Sequence, residues 1–198
     1  MEANFARALI SPPQPRIIGV RMRPFALGHK LLLTQIDSAF VTRDRVPMFD
    51  DLIASAFICA HTWEENQKLI RSTFKRWLTL KVWGLLAGKF DIPQAQVDMM
   101  AYVLSGDDFP ETEPPDNDQS VRELAAPPSA RVYVFLRGLG LTDSEAMNMP
   151  CTAANWMMAA KLEEDGKITL LSRRRRAFLE MARQENERAA REEKEKAA

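Results

Sequence analysis

Two cysteines and two histidines are the most reactive side chains of this chain, and their spacing decides what chemistry is open to them. Cys59 and His61 are the one close pair of nucleophile and base. Residues two apart on a helix point in different directions, so on a continuing helix the imidazole cannot reach the thiol to activate it. His29, Cys59, His61 and Cys151 supply zinc-ligand types, but none of the short paired spacings that close a tetrahedral site. Asp50-Asp51 and Asp107-Asp108 fall at an expected helix start and in an expected linker, where capping and solvation account for them. The sequence has no glycine-rich phosphate loop. Arg173 to Arg176 is a dense basic run able to grip phosphate. Glu180, Glu185, Glu187 and further acids follow it without an aromatic ladder, which favours a solvated or protein-binding helix over a nucleic-acid tail. The expectation is a protein without catalytic, cofactor-binding or metal-binding residues, one that works by binding other proteins.

The elements that must position these side chains are predicted to be mainly α. Apolar residues make up 46% and charged residues 27% of the 198, and only 8 glycines are present, few for an all-β plan with many tight turns. Formal net charge is +0, so no global field draws the molecule to a polyanion or an anionic membrane. The first residues carry Glu2 and a short apolar run broken by Pro12 and Pro13, unlike a signal peptide, and no apolar run approaches a membrane span. Cys59 and Cys151 are expected to be reduced, packed thiols in a cytoplasmic chain.

Five segments follow from the patterning. Residues 1–23 are expected to be an extended N-terminal arm, with Ile17 to Arg23 as one short edge strand at most. Residues 24–106 are expected to be a helical core of four helices. The first opens at Pro24 and carries Phe25, Leu27, Leu31, Leu32 and Ile36. The second, from Pro47 to Ala60, is apolar nearly all round and is the expected centre of the core. The third starts at a Thr62–Glu65 capping box and carries Ile70, Phe74, Trp77, Leu78 and Leu85 on one stripe. The fourth opens at Pro93, with Val97, Met100, Ala101 and Leu104 inward and Gly106 as its stop. Residues 107–128 form an acidic, proline-rich linker. Residues 129–171 are a small helical unit: a helix with Val132, Phe135, Leu136 and Leu139, a short one after the Thr142–Glu145 box, and one capped by Thr152 with Trp156, Met157 and Ala160 inward and Gly166 closing it. Residues 172–198 are a charged helical tail with apolar contacts confined to Phe178, Leu179, Met181 and Ala182.

Methionine repacks around varied apolar partners, which makes Met147, Met149, Trp156 and Met157 candidate protein-binding residues, with Phe178, Leu179 and Met181 as the anchor of a docking tail. Two stretches carry a resemblance. Arg23-Pro24-Phe25-Ala26-Leu27-Gly28-His29-Lys30-Leu31-Leu32-Leu33 resembles the start of proteins from prophage-like gene sets. Leu139-Gly140-Leu141-Thr142-Asp143-Ser144-Glu145-Ala146-Met147-Asn148-Met149-Pro150, running into Ala153-Ala154-Asn155-Trp156 and closed by Glu163-Glu164-Asp165-Gly166, is similar to the pattern of phage tail assembly chaperones. The resemblance implies a small helical protein that holds the tape-measure protein while tail-tube subunits polymerise around it. A structural connector or completion protein of a phage-like particle, or a basic-tailed nucleic-acid-binding regulator, are the competing expectations.

Overall fold

The computed structural model describes residues 14–71, 89–112 and 126–171, together with Ala177, Phe178, Met181 and Arg188. The fold is mainly α: eight helices and one two-stranded sheet among the described residues. The chain enters through a small hairpin, β1 (Arg16–Ile17) antiparallel to β2 (Val20–Arg21), with Ile17 opposite Val20. Ile18 and Gly19 form its tip at φ 46° and φ 78°. In place of the expected extended arm with at most one edge strand, residues 16–21 form a two-stranded hairpin packed into the body. Ile17, Ile18 and Met22 are buried in the central cluster, Arg23 N–H donates to the Cys59 carbonyl at 3.0 Å, and the Tyr102 hydroxyl donates to the Arg23 carbonyl at 2.7 Å.

Helix α1 is Leu27–Gln35, α2 Ala39–Thr42, α3 Phe49–Ala60, α4 Trp63–Arg71 and α5 Ile92–Gly106. Helix α1 starts three residues later than Pro24 because Phe25 and Ala26 are extended and bridge to another strand-like segment. Leu27 N–H donates to the Met149 carbonyl at 3.1 Å and Cys151 N–H to the Phe25 carbonyl at 2.8 Å, flanking the Ala26–Pro150 bridge. Helix α3 is the buried centre the sequence predicts, with Leu52, Ile53, Ser55, Ala56, Phe57, Ile58 and Cys59 all inside. The hydroxyls of Ser38 and Ser55, both fully buried, satisfy one another at 3.0 Å.

Helix α5 is turned from the face expected, so that of the four residues expected inward only Met100 packs on the core. Ala95, Met99, Tyr102 and Val103 are buried, while Val97 is 61% and Leu104 46% exposed. Both sets are apolar at helical spacing, and what selects between them is the Tyr102 hydroxyl, which reaches the Arg23 carbonyl only from the inner side. Gly106 is the last residue of α5 rather than a left-handed stop: a Cβ there would lie 2.3 Å from Phe25 Cβ, so the residue is small because the hairpin exit crosses it.

After the proline-rich segment come α6 (Pro128–Gly138), α7 (Asp143–Asn148) and α8 (Cys151–Glu164). Both capping boxes form. Glu65 N–H donates to Thr62 Oγ1 at 3.2 Å and Thr62 N–H to the Glu65 carboxylate at 2.7 Å, and Thr142 and Glu145 repeat the pair at 3.3 and 2.8 Å. Helix α8 begins before Thr152, with Pro150 at the N-cap. It buries Cys151, Ala153, Ala154, Asn155 and Ala159, leaves Trp156 and Met157 half-buried and exposes Ala160. Its end is the expected glycine closure: Gly166 at φ 69° donates to Glu163, and Lys167 to Leu162.

The described part of residues 129–171 does not pack as a separate unit. Val132, Leu136, Ala146, Cys151 and Ala154 belong to the same buried cluster as α1, α3 and α5. Helices of 11, 6 and 14 residues have too little apolar face to close a core of their own, so they seal against α1. The acidic segment is tied down where it begins: Asp107 pairs with Lys30 at 2.6 Å, Asn155 donates to the Asp108 carbonyl at 3.1 Å, and Thr112 bridges to Leu170. The expectations for Phe74, Trp77, Leu78, Leu85, Arg173 to Arg176, Leu179 and Ala182 lie outside the described residues.

Candidate functional site

The histidines and cysteines are held in structural roles. His61 follows the last residue of α3 and its Nδ1 lies 2.8 Å from the Phe57 carbonyl, away from Cys59. His29, at the third position of α1, accepts the Ala26 N–H through Nδ1 at 3.1 Å, as Glu or Gln does in a capping box. Its Nε2 therefore carries the proton and donates to the His61 carbonyl at 2.8 Å. Burial is the chief reason its pKa drops from 6.5 to about 4, so the ring is neutral at pH 7. Burial likewise pushes the thiols of Cys59 and Cys151 up to about 12, which removes the thiolate a nucleophile requires. Both cysteines are free and buried. No cluster of three or more potential metal ligands occurs among the described residues.

A second polar constellation joins α4 to α7. Glu64 accepts from the Ser144 hydroxyl and from Asn148 Nδ2 at 2.9 and 3.0 Å, while Asn148 Oδ1 accepts the Trp63 N–H at 2.9 Å. The Ser144 hydroxyl bond is the largest cause holding the Glu64 carboxyl down at about 2. A carboxylate that acidic is too weak a base to activate the serine, so the pair staples two helices.

The expected protein-binding residues divide. Met147 and Met149 are half-buried at the α1–α7 junction: the Met147 carbonyl stands 2.9 Å from the position a Cβ on Gly28 would take, and Met149 packs on the core. Trp156 and Met157 are half-buried on α8. Phe178 and Met181 are 56% and 58% exposed. The described structure does not gather these side chains into one groove.

What it does form is a cleft of ≈610 Å³ between α1, the Arg45–Met48 segment, α3 and α4. Leu32, Ile36, Met48, Ala54, Phe57 and Ile70 give it apolar walls. Ile36, Met48 and Ile70 remain 46%, 63% and 41% exposed at its mouth. Ile70 was expected to point inward on α4. Asn66 takes that place, 1% exposed, because its amide donates to the Ile58 and His61 carbonyls at the end of α3, at 2.9 and 3.4 Å. Three charged residues line the cleft. Arg45 and Asp51 neutralise each other through a two-point ion pair, and Asp51 also accepts the Met48 N–H at 2.9 Å. The Arg45 guanidinium, first among several contacts, holds the Asp51 carboxyl below its ordinary range. Asp50 is exposed and has no ion-pair partner among the described residues. The arrangement offers apolar surface with two of its three lining charges paired, suited to receiving a nonpolar side chain rather than to moving protons.

Comparisons with protein families, with curated proteins and with solved structures return no match for this chain.

Proposed function

We propose that this chain is a non-catalytic protein-binding factor of phage or prophage tail morphogenesis, a chaperone that holds a tape-measure protein in the host cytoplasm before the tail tube encloses it. The observation that supports the reading is the open apolar cleft between α1, α3 and α4, in which the Arg45–Asp51 ion pair cancels two of the three lining charges. A tape-measure protein is an elongated helical rod with apolar stripes that aggregate when unshielded, and laying such a stripe into a hydrophobic groove is the economical way to protect it. The stretch from Leu139 to Trp156 that resembles tail assembly chaperones lies in the same body, its α7 stapled to α4 beside the cleft. No helix among the described residues is long and apolar enough to cross a membrane.

Co-expression with the tape-measure and tail-tube proteins of the same gene set tests the proposal. The tape-measure protein should stay soluble and co-purify with the parent chain, and should precipitate with the double variant Ile36→Glu/Ile70→Glu. Truncation after Arg183 should weaken capture while leaving the melting of the core unchanged, since the tail beyond it has little apolar face to bury. A tape-measure protein equally insoluble with and without the chain would refute the chaperone role.

A further inference from the structure

The hairpin carries a pair of like charges set against its own stability. Ile17 and Val20 close the two-residue turn, Arg16 lies opposite Arg21, and Met22 N–H donates to the Pro15 carbonyl at 2.9 Å. Hydrogen-bonded and non-hydrogen-bonded pairs alternate along such a ribbon, so Arg16 and Arg21 form the non-hydrogen-bonded one. Their Cα atoms then stand about 4.5 Å apart and both side chains leave the same face, an arrangement that is destabilising for two cations. Both arginines are exposed, and neither forms an ion pair among the described residues. Met22 is buried and Arg23 exposed, so a third guanidinium follows on the outer face, sharing the field of Glu65. The backbone beneath is anchored by Ile17, Ile18 and Met22 in the core, which leaves little ordering to be done on binding. At the tip the Phe90 ring lies over Gly19, where a Cβ would fall 2.8 Å from Phe90 Cζ. Phe90 stays 41% exposed, and Lys89 before it is exposed too.

We infer that this hairpin is a binding site for single-stranded nucleic acid, with Arg16 and Arg21 gripping a phosphate between them and Phe90 stacking a base beside the tip. The inference stands apart from the chaperone role and does not rest on it. Paired guanidinia accept any oxyanion, carboxylate or phosphate. The exposed ring at the end of the same ribbon makes the choice, because it suits a ligand whose anionic backbone carries flat faces, which an acidic peptide lacks. A single strand is selected over a duplex, whose bases are stacked on one another and closed to Phe90. The acids nearby are already engaged: Glu65 closes its capping box and Asp91 accepts the Gln94 N–H at 3.2 Å as the N-cap of α5. With a formal net charge of +0 the molecule supplies no steering field, so the contact is local and its salt dependence shallow.

The full chain is titrated at low salt, with fluorescence anisotropy as readout, into fluorescein-labelled oligo-dT and oligo-rU of about 16 nucleotides and into a duplex of the same length. Saturable binding of a single strand is expected, with the duplex weaker; the tighter of the two strands identifies the backbone sugar. Unlabelled oligo-dT should displace the probe, and poly-glutamate of equal charge should not. Arg16→Glu converts the like pair into an opposite one, so it should weaken binding at least about tenfold while the melting temperature stays level or rises. Phe90→Leu keeps an apolar cover over Gly19 without a flat ring, and should weaken binding at least about fivefold with the salt slope unchanged. Absence of saturable binding, or equal displacement by poly-glutamate, would overturn the assignment, the latter in favour of an acidic peptide. Unchanged affinity in Arg16→Glu, which would move the contact to a site such as Arg173 to Arg176, a lowered melting temperature in that variant, or unchanged affinity in Phe90→Leu would overturn it as well.

Discussion

Acidification between pH 7 and 5 isolates one buried side chain, His29. In the unfolded chain its imidazole titrates near 6.5, whereas in the folded protein burial, followed by the nearby Arg23 and His61, brings it to about 4 against the raising effect of the His61 carbonyl. The folded state therefore binds fewer protons than the unfolded state throughout that window. For a base whose folded pKa is depressed, stability is full above 6.5 and falls as the pH drops toward 4. The displacement corresponds to about 3 kcal/mol in total, of which about 2 kcal/mol is lost by pH 5. His29 is 3% exposed, so solvent screening does not erode the figure. The structural reason is specific: protonating Nδ1 sets a second donor against the Ala26 N–H at the start of α1, beside the Ala26–Pro150 bridge that joins α1 to α8. Urea unfolding followed by circular dichroism at half-unit pH steps measures the slope. His29→Gln supplies the control, because glutamine at the third helical position reaches back to the same N–H without titrating. Carboxylates held low, such as Glu64 at about 2, lose their contribution only below their unfolded pKa near 4.5, outside most of the window. A parent protein whose stability is flat from pH 7 to 5, or a His29→Gln variant that keeps the parent's slope, would refute the reasoning.

Gly106→Ala should destabilise by about 1–3 kcal/mol, the reverse of the usual helix-interior gain, because the new Cβ meets Phe25 Cβ at 2.3 Å and that atom cannot swing aside; a raised melting temperature would contradict it. Ser55→Ala should cost about 1–3 kcal/mol by stranding the Ser38 hydroxyl, and adding Ser38→Ala should recover part of the loss; strictly additive denaturation data would show that the 3.0 Å contact does not couple them. Cys59 and Cys151 should resist thiol-specific reagents in the native protein at pH 8 and both react in denaturant, because burial pushes each up to about 12; a fast native reaction at either position would place it outside the core.

Local signals in the sequence translated directly into structure where one segment contains all the partners. Thr62 with Glu65 and Thr142 with Glu145 are each complete within a single turn, and both capping boxes form. The all-round apolar run of α3 is buried wherever its neighbours lie, so its place at the centre was legible too. Failures arise where two faces of a helix are equally apolar. In α5 the expected set Val97, Met100, Ala101, Leu104 and the buried set Ala95, Met99, Tyr102, Val103 both recur at helical period, only Met100 of the first set packs on the core, and the buried side carries a tyrosine hydroxyl bonded to a carbonyl 79 residues earlier in the chain. The same non-local cause delays α1. Nothing near Phe25 and Ala26 announces that they will be extended, because the segment they bridge to lies around Pro150.

The cleft was hidden for a related reason. Hydrophobic periodicity assigns Ile70 to the interior and treats Asn66 as a surface residue, since an amide carries no apolar signal. In the fold the positions exchange. At the end of α3 the Ile58 carbonyl accepts the His61 N–H and the His61 carbonyl accepts from His29 Nε2, and Asn66 adds a second donor to each, a contact that an apolar side chain on α4 cannot make. With Asn66 turned inward, Ile70 lines the cleft at 41% exposure. Isoleucine at position 66 would bury more apolar area but remove one donor from each carbonyl while leaving each its other partner, a loss of about 0.5–1.5 kcal/mol per hydrogen bond. The exposed isoleucine thus accompanies the inward amide, and it extends the apolar wall formed by Leu32, Ile36 and Phe57.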